Sequence, residues 1–149
     1  MNPSEKAAEY MAKGFNCAQS VFTTFAETFN LDEQTALKLA APLGGGIGRT
    51  GETCGAVSGG LMALGLVIGN TSGDKEAKDR TYLLAQEFLN RFKEQDGSTR
   101  CKELLGFDIS TPEGLQQARE RSTHSTVCTG LVMRAAALAA EMMEREQKK

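Results

Sequence analysis

Helix-start signals recur along this chain at short intervals, and almost nothing between them reads as strand. Asn16, Asp32, Asp74 and the triplet Thr111-Pro112-Glu113 each precede a stretch with helical periodicity. Side chains of these types accept hydrogen bonds from the free N–H groups of a first helical turn, and proline fits the first helical position. Pro3-Ser4 opens an earlier helix, with Ser4 as its cap and Gly14 as its end. Ser98 opens a short one that Gly106 closes, and a last helix runs over roughly residues 125–146. The one run rich in β-branched residues, Leu66-Val67-Ile68, is too short to argue for a sheet. These signals predict an all-α fold, a compact multi-helix bundle of about seven short helices, in one helical domain over residues 1–149.

Within this pattern two stretches are distinctive. The helix that Asp74 caps places Ala77, Thr81, Leu84, Phe88 and Phe92 on one stripe with Lys, Arg, Glu and Gln opposite, which predicts a surface helix with that stripe turned inward. Residues 44–51 hold Gly44, Gly45, Gly46, Gly48 and Gly51, a glycine density that cannot sustain a helix and predicts a loop. A helix from Thr53 to about Ile68 is expected to follow it. Gly46-x-Gly48-x-x-Gly51 also matches the dinucleotide-binding string, but that motif needs a preceding strand, and here the preceding segment reads as helix.

Composition narrows the function classes. Seventeen Lys and Arg against nineteen Asp and Glu give a net charge of −2, without the basic excess of a protein that grips phosphates, so no nucleic-acid partner is expected. Residues 53–73 carry no charge, a length sufficient to cross a bilayer, but six glycines and several polar residues within them weigh against a stable membrane span. The N-terminal residues carry Glu5, Lys6, Glu9 and Lys13 and lack the apolar stretch of a secretory signal, so a cytoplasmic location is expected. There, permanent disulfides are disfavoured, and cysteines serve as buried spacers, metal ligands or working thiols.

Four cysteines in 149 residues are too few for a disulfide scaffold. Cys17, Cys54, Cys101 and Cys128 fall on four different predicted helices, each on the apolar face, and no pair has Cys-x-x-Cys spacing. Such a set describes either one convergent site in the bundle interior or four unrelated packed thiols. Cys54 stands out because it follows the glycine loop in the first turn of a helix, where backbone N–H groups and the macrodipole favour an anion. Arg49 lies five residues upstream. Both effects predict a lowered pKa and make Cys54 the expected nucleophile. Gly55 and Gly59 let a second helix or a cofactor approach closely, with Gly48 and Arg49 contributing from the loop, and the same small-residue face could serve a homodimer. The single histidine, His124, lies four residues before Cys128, within reach as a second ligand or a base, although its Ser- and Thr-rich surroundings suit a solvated or capping role.

The string from Gly44 to Gly59, with Cys54-Gly55-Ala56-x-x-Gly59 at its core, one cysteine before it and two after it, resembles the C_GCAxxG_C_C family of redox-active proteins. The likeness runs from about Met11 to Ala140. It implies redox activity without naming a reaction or a partner. The motif is similar to one in split-Soret cytochromes, which carry haem and an iron–sulfur cluster; this chain lacks the haem-attachment string, so only the cluster is implied. Two chemistries follow as expectations. One is thiol–disulfide exchange, with Cys54 attacking and Cys17, Cys101 or Cys128 resolving, together with an unidentified redox partner. The other is an iron–sulfur cluster, or a zinc ion, held by Cys17, Cys54, Cys101 and Cys128. A non-catalytic helical binding module is the third reading.

Overall fold

Eight α-helices, one π turn, two short 3-10 turns (Glu27–Phe29 and Ala41–Leu43) and a single irregular helical turn in the glycine stretch (Gly44–Ile47) make up the architecture in the computed structural model, which describes residues 1–149. We label the helices α1 (Pro3–Ala12), α2 (Cys17–Ala26), α3 (Glu33–Ala40), α4 (Gly55–Ile68), α5 (Lys75–Asp96), α6 (Cys101–Leu105), α7 (Pro112–Glu120) and α8 (Thr129–Gln147). The π turn, His124–Cys128, runs directly into α8. There is no sheet, only an isolated antiparallel bridge between Thr53 and Arg100.

The capping residues act much as the sequence indicates. Asn16 accepts from the Gln19 N–H while the Gln19 side chain accepts from the Asn16 N–H, a reciprocal box that fixes the start of α2. Asp32, Asp74 and Thr111 cap α3, α5 and α7 by single bonds, accepting from the N–H groups of Thr35, Ala77 and Gly114. The first helix differs: Asn2 is its cap, because Pro3 takes the first helical position and leaves Ser4 inside, where its hydroxyl donates to Met133 O of α8 at 2.8 Å.

Helices α1, α2, α4 and α8 enclose the core, with α5 laid across α4 and α8. Its largest fully buried side chains include Phe88, Phe92, Met11, Leu64, Leu138 and Met142. The predicted inward stripe of α5 is buried at Phe88 and Phe92 and half-buried at Ala77, Thr81 and Leu84. The small residues of α4 pack within the chain. A Cβ on Gly59 would stand 2.7 Å from the Ala18 carbonyl of α2, and one on Gly60 would run into the Phe88 ring. Helix α4 has 14 residues, a length of about 21 Å against the roughly 30 Å of a hydrocarbon core. By length and composition one continuous helical segment is apolar enough to cross a membrane, His124–Gln147, and it is the central helix of this bundle.

Candidate functional site

Three of the four cysteines begin helices rather than lying along them. Cys17 is the first residue of α2, Cys101 the first of α6, and Cys54 is the cap residue of α4, one step before its first turn. Cys128 closes the π turn. These starts are brought together by two local devices. The backbone at 51–54 pairs with that at 99–102: Cys54 N–H donates to Thr99 O at 2.8 Å, Cys101 N–H to Glu52 O at 2.6 Å and Lys102 N–H to Gly51 O at 3.1 Å. Cys54 and Cys101 are therefore held side by side although 47 residues separate them. On the other side, α4 is pressed against α2 so tightly that a Cβ on Gly55 would stand 3.0 Å from Cys17 Cβ.

All four cysteines line one cavity of about 150 Å3. The rest of its wall is mostly apolar, from Leu104, Leu105, Ile109, Leu115, Ala118 and Leu131, with Asn16, Thr123 and His124 as polar edges. Cys54 and Cys101 are buried, at 4% and 9% exposure, and Cys17 and Cys128 are half-buried. Gly46 forms part of the wall at φ +67°, a backbone shape that favours glycine, and a Cβ there would stand 2.7 Å from Cys101 Cβ. No three of the cysteine, histidine and carboxylate side chains converge closely enough to hold a single metal ion.

The family profile described as "Putative redox-active protein (C_GCAxxG_C_C)" matches residues 15–142, a span that holds all four thiols and the glycine loop. The chain belongs to the C_GCAxxG_C_C family. A relative from Archaeoglobus fulgidus, described as an uncharacterized protein, is 30% identical over 116 residues, covering 70% of this chain and 77% of its own. No solved structure matches.

In this member of the C_GCAxxG_C_C family the four thiols are electrostatically unequal, and not in the order the sequence suggests. Burial pushes Cys54 up to about 11. The amide groups of Ala56 and Val57 at the start of α4 do pull the other way, as a helix N-terminus should, but desolvation outweighs them. The expected depression at Cys54 is thus reversed, and Asp96 and Cys128, rather than Arg49, are the charges that act on it. Cys101 rises to about 12, first through burial and then through the neighbouring Cys54 and Cys128. Cys17 and Cys128 act on each other: Cys17 is raised well above its ordinary value, first by Cys128 and then by burial, while the influence of Cys17 lowers Cys128.

The structure places the remaining expected residues as follows. Gly55 and Gly59 face α2, so their contribution is close helix packing around the site. Gly45 and Gly46 line the cavity, whereas Gly48 and Arg49 do not; Arg49, at φ +65°, belongs to an outer wall with Leu115, Arg119 and His124. The loop carries the Gly-x-Gly-x-x-Gly string without the strand that dinucleotide binding requires. His124 does share the cavity with Cys128, and its Nε2 lies 2.9 Å from Met11 O. Sequence reasoning missed Asp96. Its carboxyl is buried, receives Arg134 Nε at 2.7 Å and leaves Oδ2 without a partner. Nothing in a helix-ending Asp before glycine signals that burial.

Proposed function

We propose that this protein carries out dithiol–disulfide exchange, with Cys128 as the attacking thiolate and Cys17 as the resolving thiol. The observation that carries this reading is the placement of Cys17 and Cys128: both are half-buried on the wall of one cavity, and the electrostatics there raise Cys17 and lower Cys128. In the oxidising direction the Cys128 thiolate attacks one sulfur of a substrate disulfide and displaces the other as a thiolate, which takes up a proton. Cys17 then loses its proton and attacks the Cys128 sulfur of the mixed disulfide. The second substrate thiol leaves, and two electrons have passed from the protein to the substrate. Cys54 and Cys101 stay protonated through burial and shape the wall. A cytoplasmic setting keeps the resting pair reduced.

The test is to treat the reduced chain with one equivalent of a small disulfide and map thiols by mass spectrometry. The expected result is loss of two thiols and a Cys17–Cys128 cross-linked peptide, abolished in Cys128→Ser and retained in Cys54→Ser. A cross-link that involves Cys54 or Cys101 instead, or none at all, overturns it.

One observation favours a second reading. All four cysteines of the chain, not two, line the same apolar cavity, and ionising them together is opposed by their mutual repulsion. An iron–sulfur cluster held by Cys17, Cys54, Cys101 and Cys128 would remove that repulsion and supply one-electron transfer. The apolar side chains would exclude water from it. A single zinc ion fits the arrangement less well, because no three ligands converge on one point. Iron and sulfide after anaerobic purification, with visible absorption lost in Cys54→Ser, would replace the first reading by this one.

A further inference from the structure

Outside the cysteine cavity lies a second pocket of about 430 Å3, within the range of small-molecule sites. Leu115, Ala118, Thr123 and His124 line both, so the two pockets adjoin there. The outer pocket is basic and polar: Arg49, Arg119, Ser122 and Ser125 complete it, and no carboxylate lines it.

Its two arginines are unusual in this chain. Arg80, Arg91, Arg100, Arg134 and Arg145 all sit in ion pairs, and Arg121 lies over the Phe107 ring. Arg49 and Arg119 have neither kind of partner and converge on one pocket from the glycine loop and from α7. The nearest chain acid in sequence, Glu120, accepts from Gln116 instead. Two of the four non-glycine residues with left-handed backbone, Arg49 at φ +65° and Ser122 at φ +50°, stand on this wall. Such conformations are costly and persist where the surrounding fold enforces them.

We infer that this outer pocket is the docking site for the anionic group of a low-molecular-weight disulfide, whose sulfur reaches past Thr123 and His124, which border both pockets, to Cys128 in the inner one. The inference rests on the dithiol reading above and names its substrate class. Charge selects the anion, and pocket size selects a small molecule over a protein disulfide. The exchange is the one already balanced: Cys128 forms the mixed disulfide and releases one anionic thiol, Cys17 closes the internal disulfide and releases the second.

The experiment uses the reduced full-length chain and three disulfides of similar size: dianionic 3,3′-dithiodipropionate, neutral 2-hydroxyethyl disulfide and dicationic cystamine. The rate of Cys17–Cys128 bond formation with each is divided by its rate with dithiothreitol, which removes intrinsic reactivity. At low salt the normalised anion-to-cation ratio is expected to exceed about tenfold, the lower end of electrostatic enhancement. It should collapse towards unity in high salt and in the Arg49→Gln/Arg119→Gln variant, and persist in Arg49→Lys/Arg119→Lys. A native ratio near one, or a ratio untouched by the glutamine pair, overturns the inference. If no reagent forms the Cys17–Cys128 bond, the dithiol reading itself has failed; if all form it without charge preference, only the anion site has.

Discussion

Removing the Cys17 thiol is expected to silence Cys128 while leaving the sulfur in place. At about pH 8 a thiol with a pKa of about 11, such as Cys54, is roughly one part in a thousand thiolate, and Cys101 at about 12 is tenfold less. Cys128 lies below its ordinary value, so it holds the larger share of thiolate at that pH. A more acidic thiolate is a weaker nucleophile, which offsets only part of that advantage. The net expectation is that Cys128 alkylates faster than Cys54, and burial of Cys54 widens the gap. Iodoacetamide labelling of the reduced chain, read cysteine by cysteine by mass spectrometry, measures this directly. In Cys17→Ala the only influence left on Cys128 is desolvation, which raises its pKa, so its labelling at pH 8 should slow, by up to about tenfold for each unit of that rise. Cys17→Ser keeps a donor and should keep the rate. Faster labelling of Cys54 than of Cys128, or a Cys128 rate indifferent to Cys17→Ala, would show that Cys17 does not control the Cys128 thiolate.

Alkaline pH should destabilise the fold through Cys54. Its folded pKa is raised, so its contribution is complete below the unfolded value near 9 and is lost as pH rises through about 11; the full loss is about 2–3 kcal/mol, read as a urea midpoint that falls between pH 8 and 10.5 more steeply in the native chain than in Cys54→Ser. Acid acts through Glu87, whose carboxyl is held low chiefly by Arg145, which donates to it at 2.7 and 2.9 Å. Its contribution is present above the ordinary carboxyl value and lost as pH falls through the folded one, so Glu87→Gln should flatten the acid limb of the stability profile. Gly59→Ala should cost about 1–3 kcal/mol in denaturant unfolding, because the new methyl meets backbone of α2 that cannot yield. Phe88→Ala, at a fully buried ring between α5 and α4, should cost about 3–5 kcal/mol in the same assay.

The helices were legible because their ends are chemical and local. Asn16, Asp32, Asp74 and Thr111 declare caps within a single turn, and each one does cap a helix. The sequence points to about seven helices and the fold has eight. Where the reading went astray, a neighbouring residue had the stronger local preference, as when Pro3 takes the first helical position and makes Asn2, not Ser4, the cap. The π turn was not legible. Its backbone gains one residue over an α turn, and the hydroxyls that reach back, Thr126 to Ser122 O and Thr129 to His124 O, stand in a Ser- and Thr-rich stretch that reads equally well as a helix junction. That extra residue helps decide where Cys128 points, because π insertions reorient side chains and are frequent at functional sites.

The ranking of the thiols illustrates what a local signal can and cannot carry. A glycine loop followed by a helix start correctly identifies backbone N–H groups that favour an anion at Cys54, and the amides of Ala56 and Val57 act in that sense. Desolvation is the larger effect, and it depends on how α2, α6 and the backbone pairing at 99–102 close over the residue, which no single segment encodes. Arg49 follows the same logic: five residues from Cys54 along the chain, its left-handed backbone sends it to the outer wall instead. Cys128 gained its charge preference from a thiol 111 residues away, at Cys17. Burial and pairing, both consequences of the assembled bundle, therefore move the electrostatic preference for an anion from the helix start to the π turn, and they make Cys17 rather than Arg49 the residue whose removal should be felt first.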